Sequence, residues 1–220
     1  MINRKFVTSL HLQTKRNYLE RMNLNKVKCM KVAKKYDKQY WDGNRKFGYG
    51  GYIYIKDYWK KTAIKIIKAY KLNKNSSILD IGCGKGFLLF EIKKIIPSIK
   101  IYGLDVSRYA IKNAKKEIKK SLKHFDARNK LPYKKKQFDL VISLGTLHNF
   151  SLSNLSKCIL EINRVGKKSY IMVESYRDDK ELFNLQCWAL TCHTFLNTKD
   201  WLWFLKINKY KGDYEFIYFS

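Results

Sequence analysis

At 220 residues and 26.3 kDa the chain has room for one domain with an appendage, and a hydrophobic content of 45% is ample for a core. No window nears the roughly eighteen consecutive apolar residues of a membrane span. The start lacks the apolar stretch of a secretory signal, and five scattered cysteines form no zinc knuckle, which together read as a reducing, cytoplasmic chain. A net charge of +28 raises nucleic acid or an anionic surface as a partner. However, lysine outnumbers arginine 38 to 8, and arginine is the better instrument for phosphate and base recognition, so nucleic acid is not favoured over attraction of anionic metabolites.

In chain order, residues 1–35 carry ten basic side chains and one acid, Glu20. Val27, Met30, Ala33 and Tyr36 fall on one face of a short helix. An aromatic, glycine-rich loop, "YWDGNRKFGYGGYIYIKDYW", runs from Tyr40 to Trp59. From Thr62 the pattern changes: Ala63, Ile64, Ile67 and Tyr70 make a helical face, so residues 1–61 read as an extension and 62–220 as the core. The core alternates regularly. Strands at 78–81, 100–104, 122–125, 138–144 and 169–175 are separated by helices at 86–95, 108–120 and 153–164. Helices at 179–191 and 199–209 and a strand at 214–219 close the chain. Apolar strands alternating with amphipathic helices predict an α/β fold with a doubly wound, mostly parallel sheet and helices on both faces.

The first core strand ends in "ILDIGCGKGFLLFEI", residues 78–92, with glycines at every second position of the turn. Such glycines let a backbone approach a ligand closely and adopt positive φ. Their spacing misses the Gly-x-Gly-x-x-Gly of dinucleotide binding, which counts against a nicotinamide cofactor. "IYGLDVS" then ends the second strand at Asp105, about twenty residues on, where a carboxylate can accept both ribose hydroxyls. Asp126 comes after the third strand, and "FDLVISLGTLHNF" makes the fourth. Taken singly, Asp105 also reads as a helix N-cap and Asp126 as a turn residue; their joint spacing favours a ligand role.

As a set, Asp-x-Gly-x-Gly-x-Gly, an acid ending the second strand, Asp-Ala after the third and Phe-Asp-Leu-Val opening the fourth resemble the class I S-adenosylmethionine-dependent methyltransferases, over about residues 62 to 175. The resemblance implies a Rossmann-like sheet of seven strands, or six, since only 214–219 reads as a strand after the last helix. It implies that Asp80 and the Gly82, Cys83, Gly84 and Gly86 backbone hold the methionine part of the cofactor. Asp105 would then hold the ribose, Val106 would flank the adenine, Asp126 with Ala127 would meet the adenine amino group, and Leu144 would floor the pocket.

The acceptor side is read from the segments just beyond the fourth and fifth strands. The Asn/Asp-Pro-Pro-aromatic of amino methyltransferases acting on nucleobases is absent; Thr146-Leu147-His148-Asn149 is instead similar to the Leu-His-His of small-molecule members. His148 is the candidate general base, or else it packs on the cofactor. Glu174 ends the fifth strand and binds the acceptor, or caps the next helix. Trp41, Tyr49 and Tyr52 suit a lid, and Tyr176 the acceptor wall. Cys192 and His193 are not read as metal ligands. The expected activity is methyl transfer to a hydroxyl or amine of a small metabolite, sugar-linked or anionic. The rivals are an RNA methyltransferase using residues 1–35 as a basic arm, and a non-catalytic cofactor-binding subunit.

Overall fold

The apolar runs of the core form one parallel sheet in the computed structural model, which describes residues 1–220. Its strands are β1 (Ser77–Ile81), β2 (Lys100–Asp105), β3 (Leu122–His124), β4 (Phe138–Leu144), β5 (Gly166–Glu174) and β6 (Asp213–Ile217). They lie in the order β3-β2-β1-β4-β5-β6, with every neighbouring pair parallel. The winding reverses at β1, which pairs with β2 on one side and β4 on the other; ligands of such sheets sit outside the strand ends at that point.

The helices are α1 (Thr8–His11), α2 (Tyr18–Asn23), α3 (Lys26–Ala33), α4 (Lys38–Asp42), α5 (Lys60–Tyr70), α6 (Phe87–Ile95), α7 (Arg108–Lys112), α8 (Lys116–Lys119), α9 (Leu152–Val165), α10 (Asp179–Trp188) and α11 (Thr198–Ile207). Alternation along the strands builds two cores. Leu79, Ile81, Val141 and Val173 meet Ile159, Ile162, Trp201 and Leu205 of α9 and α11. Ile78, Leu140, Ile142 and Tyr170 meet Ala63, Ile66, Leu89 and Ile92 of α5 and α6. Strands covered on both faces need apolar residues at consecutive positions, which is why they read as runs. No helix is long and apolar enough to cross a membrane.

The sheet has six strands. Instead of ending in an antiparallel pair, β6 runs parallel to β5, and the chain's own start covers its outer edge. Asn3 sits opposite Tyr214; Arg4 N donates to Tyr214 O at 2.7 Å, and Tyr214 N donates to Ile2 O at 3.0 Å. The turn after it is anchored by the buried carboxylate of Glu215 on β6. It accepts from the backbone N–H of Phe6 at 2.7 Å, Val7 at 3.0 Å and Thr8 at 2.6 Å, and from the Thr8 and Tyr170 hydroxyls. The first residues are therefore a docked edge of the core, not a free basic arm.

Two expected helices are shorter. The one read over 108–120 divides into α7 and α8, because the Asn113 side chain donates back to Tyr109 O at 2.8 Å and Lys115 takes non-helical torsions. The one read over 179–191 ends at Trp188, after which residues 189–191 turn along a cavity at the strand ends.

Candidate cofactor and acceptor site

β1 delivers Asp80 on the same face as Ile78 and releases the chain into the glycine turn. Gly82 and Gly84 hold φ of 78° and 57°, and a methyl group on Gly82 would land 1.9 Å from Thr146 Oγ1. Glycine is therefore required there twice over, by torsion and by space. The turn is pinned by Gly82 N and Cys83 N donating to Leu104 O at 2.7 and 3.0 Å. Asp105 completes the support: Oδ2 accepts from Gly84 N and Oδ1 from Ser107 N, each at 2.7 Å. Burial raises Asp105 above its ordinary value, although both N–H bonds pull the other way.

A cavity of about 450 Å³ opens at the ends of β1, β4 and β5, within the range of small-molecule sites. Asp80, Gly82, Cys83, Gly84 and Leu144 line it from the expected cofactor side, and His148 and Glu174 from the acceptor side. Trp41, Tyr49 and Tyr52 roof it. Trp41 stacks on Tyr49 with centroids 5.2 Å apart and planes at 6°, and Tyr52 stacks on Phe87 at 5.1 Å. The roof is latched by Asp42. It accepts from Lys85 Nζ on the glycine turn at 2.7 Å, from the Tyr109 hydroxyl at 2.8 Å and from Tyr52 N at 3.0 Å. Burial opposes the Asp42 charge, but the bonds from Lys85 and Tyr109 outweigh it and hold the carboxyl below its ordinary value.

Asp80 is the polar exception of the site. Its Oδ1 is buried without any hydrogen-bond partner, and burial, with the Asp105 charge behind it, pushes its carboxyl up to about 8. An orphaned carboxylate oxygen beside backbone stripped of side chains suits a cationic ligand passing close to the turn. The residues present therefore fit the methionine end of S-adenosylmethionine.

Other expected positions lie elsewhere. Asp105, Val106, Asp126 and Ala127 do not line the cavity. The Trp41 indole lies against Gly84 and donates to Ser107 Oγ at 2.8 Å, so it stands along the Asp105 edge. Val106 is exposed and Ala127 packs in the core beside Leu131. Asp126 is held by Arg128, whose Nε donates at 2.9 Å; that bond keeps the carboxyl below its ordinary range. Gly86 starts α6 with φ of 73°, off the cavity wall. Tyr176, expected on the acceptor wall, packs instead with Leu185, Ile217 and Phe219, because its bridge to Asn197 turns that stretch away from the strand ends.

His148 and Glu174 do meet. His148 is buried; its Nδ1 accepts from Glu174 N at 3.2 Å, and its Nε2 lies 3.4 Å from Glu174 Oε2. The backbone N–H thus leaves the ring proton on Nε2, close to the Glu174 carboxylate but without a hydrogen bond to it. Burial lowers the His148 value and Glu174 only partly restores it, so the ring is neutral at pH 7. Sequence reading places Arg45 in the lid loop and Trp188 on a core or pocket-wall helix but misses Arg16 and Arg21; all four line the cavity. No local motif marks them, because the four come from three separate stretches of chain.

Comparison with known proteins agrees with this geometry. A family model described as a methyltransferase domain matches residues 72–218. The chain is 28% identical over 109 residues to the mitochondrial arginine-hydroxylase NDUFAF5 of Mus musculus, covering 50% of this chain and 31% of that protein. It is 30% identical over 95 residues to the protein-lysine N-methyltransferase EFM4 of Saccharomyces cerevisiae, covering 40% and 42%. It is 35% identical over 92 residues to a malonyl-[acyl-carrier protein] O-methyltransferase of Legionella pneumophila, covering 40% and 31%. The matches thus span between 31% and 42% of those relatives' own length. Among solved structures, YcgJ of Bacillus subtilis aligns with a TM-score of 0.54 at 18% identity over 66% of each chain. The [4+2]-cyclase SpnF aligns at 0.53 and 20% identity over 68% of this chain and 56% of that one. At such identities these structures establish the fold alone. The family match over most of the chain, carried by the wound sheet and its glycine turn, places this protein among the class I methyltransferases that use S-adenosylmethionine.

Proposed function

We propose that the protein transfers a methyl group to an oxygen or nitrogen of a small metabolite, with Glu174 as the proton acceptor. The observation that carries the reading is the His148–Glu174 pair on the wall of the same roofed cavity as Asp80 and the glycine turn. S-adenosylmethionine supplies a methyl already activated by the sulfonium, so the protein's work is alignment and, for a protonated nucleophile, proton removal. Asp80 and the Gly82–Gly84 backbone would hold the cofactor's methionine end. Neutral His148 has its Nδ1 lone pair taken by a backbone N–H and its proton on Nε2, leaving it no free lone pair as a base. Glu174 lines the cavity with acceptor capacity to spare, and the buried His148 ring packs beside its carboxylate.

A small acceptor accords with the docked N-terminus, since residues 2–8 of the stretch an RNA reading would extend as an arm are tied to β6. The experiment is incubation with methyl-labelled S-adenosylmethionine and fractions of small molecules, RNA and protein from the source cells. Label in the small-molecule fraction is the expected result. Label in RNA or protein instead would replace the acceptor class, and binding without turnover on any fraction would favour a partner-subunit role.

A further inference from the structure

Only eight arginines stand among the 46 basic residues, and three of them converge on one indole. The Cζ atoms of Arg16, Arg21 and Arg45 lie 5.5, 4.7 and 5.2 Å from the Trp188 ring centroid. They arrive from the stretch before α2, from α2 itself and from the turn at Arg45–Phe47, and all three line the cavity that holds Glu174.

Gathering them is costly. Burial opposes the charge of each, and the Arg45 charge adds to the burial of Arg21, whose guanidinium is pushed down to about 10 and still stays charged at neutral pH. Cation–π contact with one indole recovers only part of that cost. None of the three forms a salt bridge, although the charge of Glu174 in the same cavity favours that of Arg16. The contrast within the chain is direct: Arg4, Arg128, Arg164 and Arg177 each take an acid, namely Asp213, Asp126, Glu161 and Glu181. Three cations gathered on one cavity wall, with Arg21 buried, Arg16 half-buried and none salt-bridged to an acid, are what a site built for an incoming anion requires.

The cluster is also preorganised with donors to spare. Arg16 Nη1 donates to Thr14 O at 2.9 Å, Arg21 Nη1 to Arg45 O at 2.7 Å and Arg45 Nη1 to Gly48 O at 2.6 Å. Backbone carbonyls thereby fix the guanidinium planes without neutralising them. Each guanidinium has five N–H groups, so edges remain free. Arg16 Nε is buried with no partner at all. Planar forks held this way match the oxygens of a carboxylate or phosphate. The same cavity has apolar lining as well, from Leu10, Trp59 and Met172 among others.

We infer that Arg16, Arg21 and Arg45, framed by Trp188, form a subsite for the anionic group of the methyl acceptor, a carboxylate or phosphate carried on an apolar body whose nucleophile reaches Glu174. The inference rests on the methyl-transfer reading for the word acceptor, but not for the anion site itself. The cofactor's own carboxylate is the other source of the same chemistry, and the test separates the two.

Benzoate and inorganic phosphate serve as probes, titrated by calorimetry into the wild-type protein with and without saturating S-adenosylhomocysteine. The expected result is that at least one probe binds in both conditions. Arg16→Gln and Arg45→Gln should each weaken that probe by about tenfold or more, while S-adenosylhomocysteine affinity changes less than about twofold. Loss of probe binding on adding S-adenosylhomocysteine, or a matching fall in its affinity in the variants, would assign the arginines to the cofactor and overturn the inference. Failure of both probes to bind would overturn it as well. Should the glutamine variants unfold, the wild-type competition alone decides. If S-adenosylhomocysteine binds to no form of the protein, the methyl-transfer reading fails, and the probe titration still decides the anion site.

Discussion

On the proposed mechanism Glu174 takes the proton and His148 supports it, and the two roles differ kinetically. Glu174→Gln keeps the shape but removes the proton acceptor, and kcat should fall by about 10²–10⁴-fold. His148→Ala should cost about tenfold in kcat, because the buried ring packed beside the Glu174 carboxylate is gone; His148→Gln, which fills most of that space, should recover most of the loss. Equal losses in Glu174→Gln and His148→Ala without rescue by glutamine would make His148 the base. Asp80 gives a second prediction, with the sign set by its raised value of about 8 against 3.8 for an ordinary aspartate. Between those values the folded protein keeps a proton that the unfolded chain has released, so the ligand-free protein loses stability as pH rises across that window. Asp80→Asn should flatten that slope, raise the ligand-free Tm at pH 8 and weaken cofactor binding, all readable by thermal unfolding and calorimetry. A variant with an unchanged pH slope would mean that Asp80 is solvated rather than buried without a partner.

At the scale of elements, the catalytic end of the sheet depends on pieces far from it in sequence. The strap from residue 2 to α1 is held on β6 by Glu215, and the same region brings Leu10, His11 and Arg16 to the cavity. Glu215→Gln replaces an acceptor oxygen with an N–H facing other donors, which should cost about 1–3 kcal/mol in denaturant unfolding. It should also increase hydrogen exchange in residues 2–12 before the sheet itself opens. If exchange rose uniformly over the molecule, the strap would be part of the single cooperative core. The strands and α9 were legible from local pattern, since apolar runs and 3.6-residue periods do not depend on distant partners. The division of α7 from α8 was not, because it turns on the non-helical torsions of Lys115, with the Asn113 side chain added to the last α7 carbonyl bond.

For the whole molecule, the charge of +28 distinguishes the acceptor classes through salt. For a small anionic acceptor, attraction acts over roughly a Debye length, so raising salt from low to physiological levels should lower kcat/KM by less than about tenfold. An RNA substrate neutralising several phosphates would lose about 10³–10⁵ in affinity over a similar change. The sequence by itself determined the sheet, its parallel winding, the glycine turn and the family, because each is written in contiguous residues whose torsions and periodicity are local. It also named Asp80, His148 and Glu174, since strand ends in a wound sheet face one edge. Only the tertiary structure decided that Asp126 is held by Arg128, that Trp41 lies along the Asp105 edge, and that the first residues close the sheet. It alone brought Arg21 to Trp188, 167 positions away, and with it the arginine cluster. Contacts of that separation are selected by packing and charge in the folded state, and no local pattern of the chain encodes them.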